Sequence, residues 1–351
     1  MIRLIPRIIS FDPRPIFGCL ACKRNLSTTQ NDDLFDSNIL PRRAILYVPG
    51  NDQRKIDKAL GTFKQIDSIV LDCEDGVAAN NKNKARETIK KVMDQTSNAD
   101  DRSKLWSKLS VRINSIQSNL ACDDLRQILS ASCVPRTILL PKVDSIEHIE
   151  KFFKYFRSSI EANNKLIDKE SDQIDLITYV ESAIGLLDLR TICQFTMEQC
   201  QQNGFRFAGI IFGSDDFCAD IGATRTDNGD EVLLARQQVV LIAKSFNLQA
   251  IDSVYINFKD LDGLKRQSEN GSMMGFTGKQ CIHPGQIPII QEAFRPSAKK
   301  VQWATGLIEA FERAQKSGQG AFVYEGQMID MPLLRQAYNI LNLNQQIVQN
   351  E

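Results

Sequence analysis

Residues 207–217 read FAGIIFGSDDF, and the rest of the chain can be organised around them. The apolar run 208–212 stops at Gly213 and is followed by two adjacent carboxylates, Asp215 and Asp216. An unbroken apolar body marks a strand buried on both faces, as in parallel sheets. The glycine frees the backbone, and the acids then stand at the strand tip. The same order recurs upstream in 176–181, LITYVE, which ends in Glu181. Two strand tips that bring acids to one mouth would suit a hard divalent cation, since Mg²⁺ is held by one or two carboxylates plus water and substrate oxygens. The plainer reading of either acid alone is a solvated strand end.

Strand-length apolar runs are predicted at 43–48, 68–72, 109–113, 137–142, 176–181, 208–213, 250–255 and 275–282. Between them lie segments of helical pattern, at 83–92, 120–130, 147–156, 183–201, 231–245 and 261–270, with one more starting near Gln53 behind a turn that supplies its cap. Strands alternating with helices imply parallel pairing through right-handed crossovers, and eight such repeats close a (β/α)8 TIM barrel. The rival is an open doubly wound sheet of the dinucleotide-binding kind, but no GxGxxG follows the first strand. The expected fold is therefore α/β, a TIM barrel over 41–295 with a helical C-terminal extension over 296–351. In that extension a helix is predicted at 298–315, a Gly-rich connector at 317–320, a short apolar piece at 321–324 and a last helix at 333–341. It is too long for a barrel's closing helix and suits an arm or lid that packs on a neighbouring subunit.

The 351 residues carry 43 basic and 43 acidic side chains, a balance that speaks against a nucleic-acid footprint. The charges are uneven, however. Residues 1–31 hold Arg3, Arg7, Arg14, Lys23 and Arg24 against Asp12 alone, followed by Ser27, Thr28 and Thr29. This Arg-rich, acid-poor composition is that of a mitochondrial transit peptide, and it predicts a mature protein in the mitochondrial matrix. No run approaches the roughly 18 apolar residues of a membrane span. The nine cysteines form no metal or disulfide pattern: Cys19 and Cys22 make a lone CxxC inside the transit segment, and the others are expected as buried free thiols. Only His148 and His283 are present, which excludes a histidine-rich metal site.

Chemistry in such a barrel is built where the strands end. The tips offer Tyr47, with Arg54 beyond it, then Asp72, Glu74 and Asp75, then Arg112, Lys142, Glu181, Asp216 and Gln280. Arg112 lies in an apolar run, where a lone guanidinium is costly unless paired. It could face a substrate oxygen on which charge develops, or it could form a structural ion pair with Asp72 or Glu74. Lys142 reads as a supporting or structural group, since a metal-dependent route has no need of a Schiff-base lysine. Gly50 and Asn51 open a helix N-terminus near Arg54 that could meet phosphate.

Seven motifs in register carry a resemblance: Tyr47-Val-Pro-Gly, Leu71-Asp-Cys-Glu-Asp-Gly, Val111-Arg-Ile-Asn, Leu140-Pro-Lys, Tyr179-Val-Glu-Ser-Ala, Phe212-Gly-Ser-Asp-Asp-Phe and Gly278-Lys-Gln-Cys-Ile-His-Pro. Together they resemble the citrate lyase β-subunit-like group of the HpcH/HpaI aldolase family, and Met328-Ile-Asp-Met-Pro resembles the tail of its CoA-dependent members. The resemblance implies a homotrimer with Mg²⁺ held by Glu181 and Asp216. It implies substrate or CoA contacts from Tyr47, Arg54, Arg112, Gln280 and Cys281, with Glu74, Asp75 and Asp215 in support. Asp330 becomes the expected acid/base, delivered by the tail of a neighbouring subunit, and Arg112 the group that stabilises an enolate. Position 54 is commonly lysine in such relatives, and a glutamate often stands where this chain has Asp215. The activity implied is reversible cleavage of an acyl-CoA, (3S)-citramalyl-CoA to pyruvate and acetyl-CoA, with glyoxylate as the alternative oxo acid. The rival activities are a malate or β-methylmalate synthase and a malyl-CoA thioesterase. A non-catalytic CoA-binding scaffold would be expected to have lost at least one of Glu181, Asp216, Arg112 and Asp330.

Overall fold

The computed structural model describes residues 40–96, 102–165, 173–316 and 322–350. The presumed transit segment and its two cysteines lie outside the described residues, as does the Gly-rich connector at 317–320. Eight parallel strands close a barrel in sequence order: β1 (Ala44–Pro49), β2 (Ser68–Asp72), β3 (Leu109–Arg112), β4 (Thr137–Leu140), β5 (Ile174–Val180), β6 (Phe205–Phe212), β7 (Gln249–Asp252) and β8 (Gly278–Cys281), with β8 returning to β1. The expected TIM barrel is thus the observed one.

Both faces of the strands are covered, which is why the runs read as continuously apolar. Ile45, Val70, Leu139, Ile177, Tyr179, Ala208, Ile211 and Ile251 fill the barrel interior. Leu46, Ile69, Leu71, Ile138, Leu140, Leu176, Ile210 and Phe212 face the helix layer, where Ile56, Ile89, Phe152, Phe153 and Val239 meet them. On β6 the alternation changes phase. Leu176 pairs with Phe207, but the next residue, Ile177, pairs with Gly209, so Ala208 is an extra residue in the ladder. This bulge leaves both Ala208 and Ile211 inward-facing although they are three apart. It also brings the next inward position to Gly213.

Strand ends differ from expectation for identifiable reasons. β6 begins earlier, at Phe205, whose ring packs edge-on against Phe152, Phe153 and Phe156. β4 stops at Leu140 because Lys142 adopts φ of 53°. β8 starts only at Gly278, since Gly275, with φ of 104°, caps the helix Leu261–Met274. The predicted helix at 183–201 is two helices, Ala183–Leu187 and Leu189–Asn203, that meet at Asp188. The stretch after Gly213 is the helix Ser214–Ile221.

At the opposite end of the barrel, buried Asp175 at the start of β5 gathers Arg42 at 2.6 Å, Arg206 at 2.9 Å and Arg136 at 3.4 Å. A second buried pair, Arg236 with Asp252, has Lys279 at 3.5 Å from the same carboxylate. Beyond the barrel, the helix Ala298–Lys316 pairs with a final helix, Met331–Asn350, which is longer than predicted. Between them β9 (Phe322–Tyr324) and β10 (Gln327–Ile329) form an antiparallel hairpin. Ala304, Leu307, Ile329 and Ala337 give this extension a small core of its own, with Trp303, Tyr324 and Leu333 around it. Among the described residues no helix is long and apolar enough to cross a membrane. Six of the seven described cysteines are buried and all seven are free thiols.

Candidate active site

The strand tips surround a cavity of about 730 Å³. Of the residues singled out in the sequence, Tyr47, Arg54, Asp72, Asp75, Arg112, Glu181, Asp215, Asp216 and Gln280 line it. Glu181 follows β5 directly and is buried. Its Oε2 accepts the backbone N–H of Lys142 at 2.8 Å. Its other flank lies against Gly213, where a Cβ would stand 2.5 Å from both Cγ and Oε1. The glycine of FAGIIFGSDDF is therefore required by the close approach of Glu181; its own φ of −98° is open to any residue. Burial, together with the charges of Glu74 and Asp216, pushes the Glu181 carboxyl up to about 8.

Asp216 is half-exposed in the first turn of Ser214–Ile221, where a carboxylate complements the helix dipole. Burial raises its proton affinity, opposed by the ammonium of Lys142. Asp215 points away, into an ion pair with Arg225, which also donates to the carbonyl of Val254. Asp215 still lines the cavity, and its pairing with Arg225 ties the 225 and 254 loops to the strand-six tip.

Arg112 is doubly committed. Its Nε and Nη2 each donate to Asp72 at 2.7 Å, and Nη1 faces Glu74 at 3.0 Å. The ion pair with Asp72 and Glu74 weighed from the sequence is therefore present, yet the guanidinium still borders the cavity. It lies against the rings of Tyr47 at 5.0 Å and Tyr179 at 5.9 Å, whose hydroxyls share a short hydrogen bond. Burial works against its charge, but Asp72, Tyr179 and Glu74 together outweigh burial and the guanidinium stays protonated. Asp72 is itself fixed by the N–H groups of Glu74 and Gly76. Asp75 is held by the Glu74 carboxylate through its own N–H at 3.1 Å.

Gln280 donates from Nε2 to the carbonyl of Phe212 at 3.0 Å and so braces the end of β6. The Cys281 side chain is fully buried in the helix layer and is not among the residues that line the cavity, so the contact expected of this residue would have to come through its backbone. The cause is the strand's period of two, which turns Gln280 and Cys281 to opposite faces. Asp330 lies outside the cavity of its own chain. It is exposed and caps the final helix, accepting the N–H of Leu333 at 3.2 Å.

Sequence reasoning missed Lys55, Lys58 and His283, all of which line the cavity. Lys58 follows Arg54 by one helical turn on Gln53–Gly61, a spacing that could have flagged a basic face. His283 caps the turn after β8 by accepting the N–H of Gly285 on Nδ1, and it stacks on Phe258 at 5.0 Å.

Around the cavity floor, among the described residues, Asp72, Glu74, Asp75, Glu181 and Asp216 are met by Arg112 and Lys142, while Arg54, Lys55 and Lys58 line the same cavity from the helix after β1. The excess of carboxylate at the floor fits a hard divalent cation. Among the described residues no three His, Cys, Asp or Glu side chains converge as a complete metal cage. Two carboxylates with room for water and substrate oxygens is the donor set Mg²⁺ accepts.

A closed parallel barrel with its acids, arginine and cavity at the strand tips is the architecture of a TIM-barrel enzyme. The HpcH/HpaI aldolase/citrate lyase family matches residues 43–284, and the chain belongs to that family. It is 46% identical, over 87% of its length and 86% of the relative's, to the mitochondrial citramalyl-CoA lyase of Homo sapiens. It is 30% identical, over 83% of its length and 90% of the relative's, to a (3S)-malyl-CoA thioesterase of Cereibacter sphaeroides. Its fold is similar to that of the protein CitE from Mycobacterium tuberculosis, solved with magnesium, acetoacetate and coenzyme A. There the TM-score is 0.65 and the identity 27%, covering 88% of this chain and all of that one.

Proposed function

We propose that this protein is a Mg²⁺-dependent carbon–carbon lyase that cleaves (3S)-citramalyl-CoA to pyruvate and acetyl-CoA by a reversible Claisen-type reaction. The observation that carries the reading is the convergence of Glu181, Asp216 and the clamped Arg112 on one cavity, in a chain 46% identical to a citramalyl-CoA lyase. Glu181 and Asp216 would hold Mg²⁺, which when bound polarises substrate oxygens as a Lewis acid and template. In cleavage the substrate hydroxyl would release its proton to solvent as its oxygen becomes the pyruvate ketone, and the electron pair of the broken carbon–carbon bond stays on the acetyl-CoA fragment as an enolate. Arg112 is held by Asp72 before substrate arrives, so it can stabilise the enolate oxygen without reorganising. Asp330, reaching in from a neighbouring copy of the chain in a homotrimer, protonates the enolate carbon and in reverse removes that proton. Tyr47 and Gln280 border the reacting end. Arg54, Lys55 and Lys58 form a basic edge suited to the phosphates of CoA. Residues 1–31 are read as the segment that directs the chain to the mitochondrial matrix.

The test is cleavage of citramalyl-CoA by the purified protein, followed as pyruvate release. Activity should vanish with EDTA and return with Mg²⁺; no pyruvate under any metal condition would overturn the reading. The likeness to a malyl-CoA thioesterase favours one alternative, hydrolysis of the thioester after condensation. Free CoA released on mixing acetyl-CoA with glyoxylate, and not with pyruvate, would support it.

A further inference from the structure

Lys142 takes no part in the chemistry above, yet it contacts four acids of the site. Its backbone N–H donates to Glu181 Oε2 at 2.8 Å. Its ammonium lies 2.9 Å from Glu74, 3.4 Å from Asp75 and 3.7 Å from Asp216. This double reach depends on φ of 53°, a left-handed conformation disfavoured for a residue with a side chain and retained where surrounding contacts hold it. The turn after β4 sends the N–H toward the strand-five acid and the side chain across the mouth. Lys142 is 31% exposed, so its long stem keeps a path to solvent and can withdraw.

We propose that Lys142 is the built-in counter-cation of the acidic mouth: its ammonium competes with the divalent ion for Asp216 and sets how tightly that ion binds, while its N–H holds Glu181 in place throughout. The proposal rests on the reading that Glu181 and Asp216 hold Mg²⁺. The physical ground is that both cations are drawn to the same carboxylates. Each contact the ammonium makes there lowers the gain from bringing in a second positive charge. As the ion arrives, the ammonium can give up Asp216 and keep its closer contacts with Glu74 and Asp75. Lys142 acts through the ligands and is a positioning residue.

The experiment is calorimetric titration of Mg²⁺ into the full-length protein without substrate. Lys142→Met removes the ammonium and keeps the N–H, so Mg²⁺ should bind about tenfold more tightly. Lys142→Arg, which keeps the charge, should bind as the wild type does. Lys55→Met, which removes a charge from the outer cavity, should change little. Unchanged or weaker binding by a folded Lys142→Met overturns the proposal, and so does equal tightening by Lys55→Met. If Lys142→Met does not fold, Lys142→Gln takes its place with the same expectation. Glu181→Gln tests the underlying metal assignment separately. Mg²⁺ binding that survives it, or is absent from the wild type, overturns both.

Discussion

At the carboxyl of Glu181 the environment changes the chemistry of a group that borders the cavity. Its protonation midpoint is raised from an ordinary 4.5 to about 8, because the protein buries it beside Glu74 and Asp216. A raised midpoint means that the metal-free fold prefers the proton. The stability this contributes is complete below about 4.5 and is lost as pH rises through about 8. On the proposed metal assignment, binding needs the carboxylate, so Mg²⁺ would have to displace that proton at lower pH. The melting temperature in EDTA should fall between pH 6 and pH 9, while the rise on adding Mg²⁺ should grow over the same range and level off above about 8. Thermal melts at three pH values check this; a Mg²⁺ effect independent of pH would show that Glu181 is not the group displaced. At the far end of the barrel, Asp175→Asn would leave the guanidinium groups of Arg42, Arg136 and Arg206 gathered around a neutral side chain. Breaking a buried ion cluster from one side costs about 3–5 kcal/mol. Denaturant unfolding should show a loss of that size.

At the scale of the element, β6 shows how a strand can be built for its tip. The extra residue at Ala208 shifts the phase, so that position 213 faces inward, and glycine there leaves space for Glu181. Gly213→Ala should push the carboxylate out of place and weaken Mg²⁺ binding by about 10–100-fold, the range typical of groups that orient metal ligands. The melting temperature in EDTA should move far less. Calorimetry on the folded variant decides it, and wild-type Mg²⁺ affinity would refute the close-approach argument. The strand was legible in its apolar run, and the glycine was conspicuous. Its reason was not, because the bulge at Ala208, opposite Leu176 and Ile177, is set by pairing with another strand and leaves no trace in the local pattern.

The extension beyond the barrel belongs to the whole molecule. Its two helices and hairpin enclose a small core, and Asp330 is exposed at the start of the last helix, outside its own chain's cavity. On the proposed reading, an acid/base at that position would serve a site on another copy of the chain. Asp330→Ala should therefore nearly abolish citramalyl-CoA cleavage while leaving Mg²⁺ binding intact. Mixing it with Glu181→Gln after co-refolding should restore part of the activity, since some sites then combine an intact mouth with an intact tail. Absence of rescue in verified mixed oligomers would place Asp330 out of the reaction or within its own chain.

The chain's order of apolar runs and helical segments determined the barrel, because eight parallel strands covered on both faces must be apolar throughout and must return through helices. It also placed Glu181, Asp216, Arg112 and Gln280 at strand tips, where the fold gathers them. What tertiary structure decided is which neighbour each group answers to. Asp215 turns to Arg225, Arg112 to Asp72, Cys281 into the helix layer, and Lys142 across the acids. Those choices follow from contacts between elements far apart in sequence, and a strand tip read alone carries no record of what faces it.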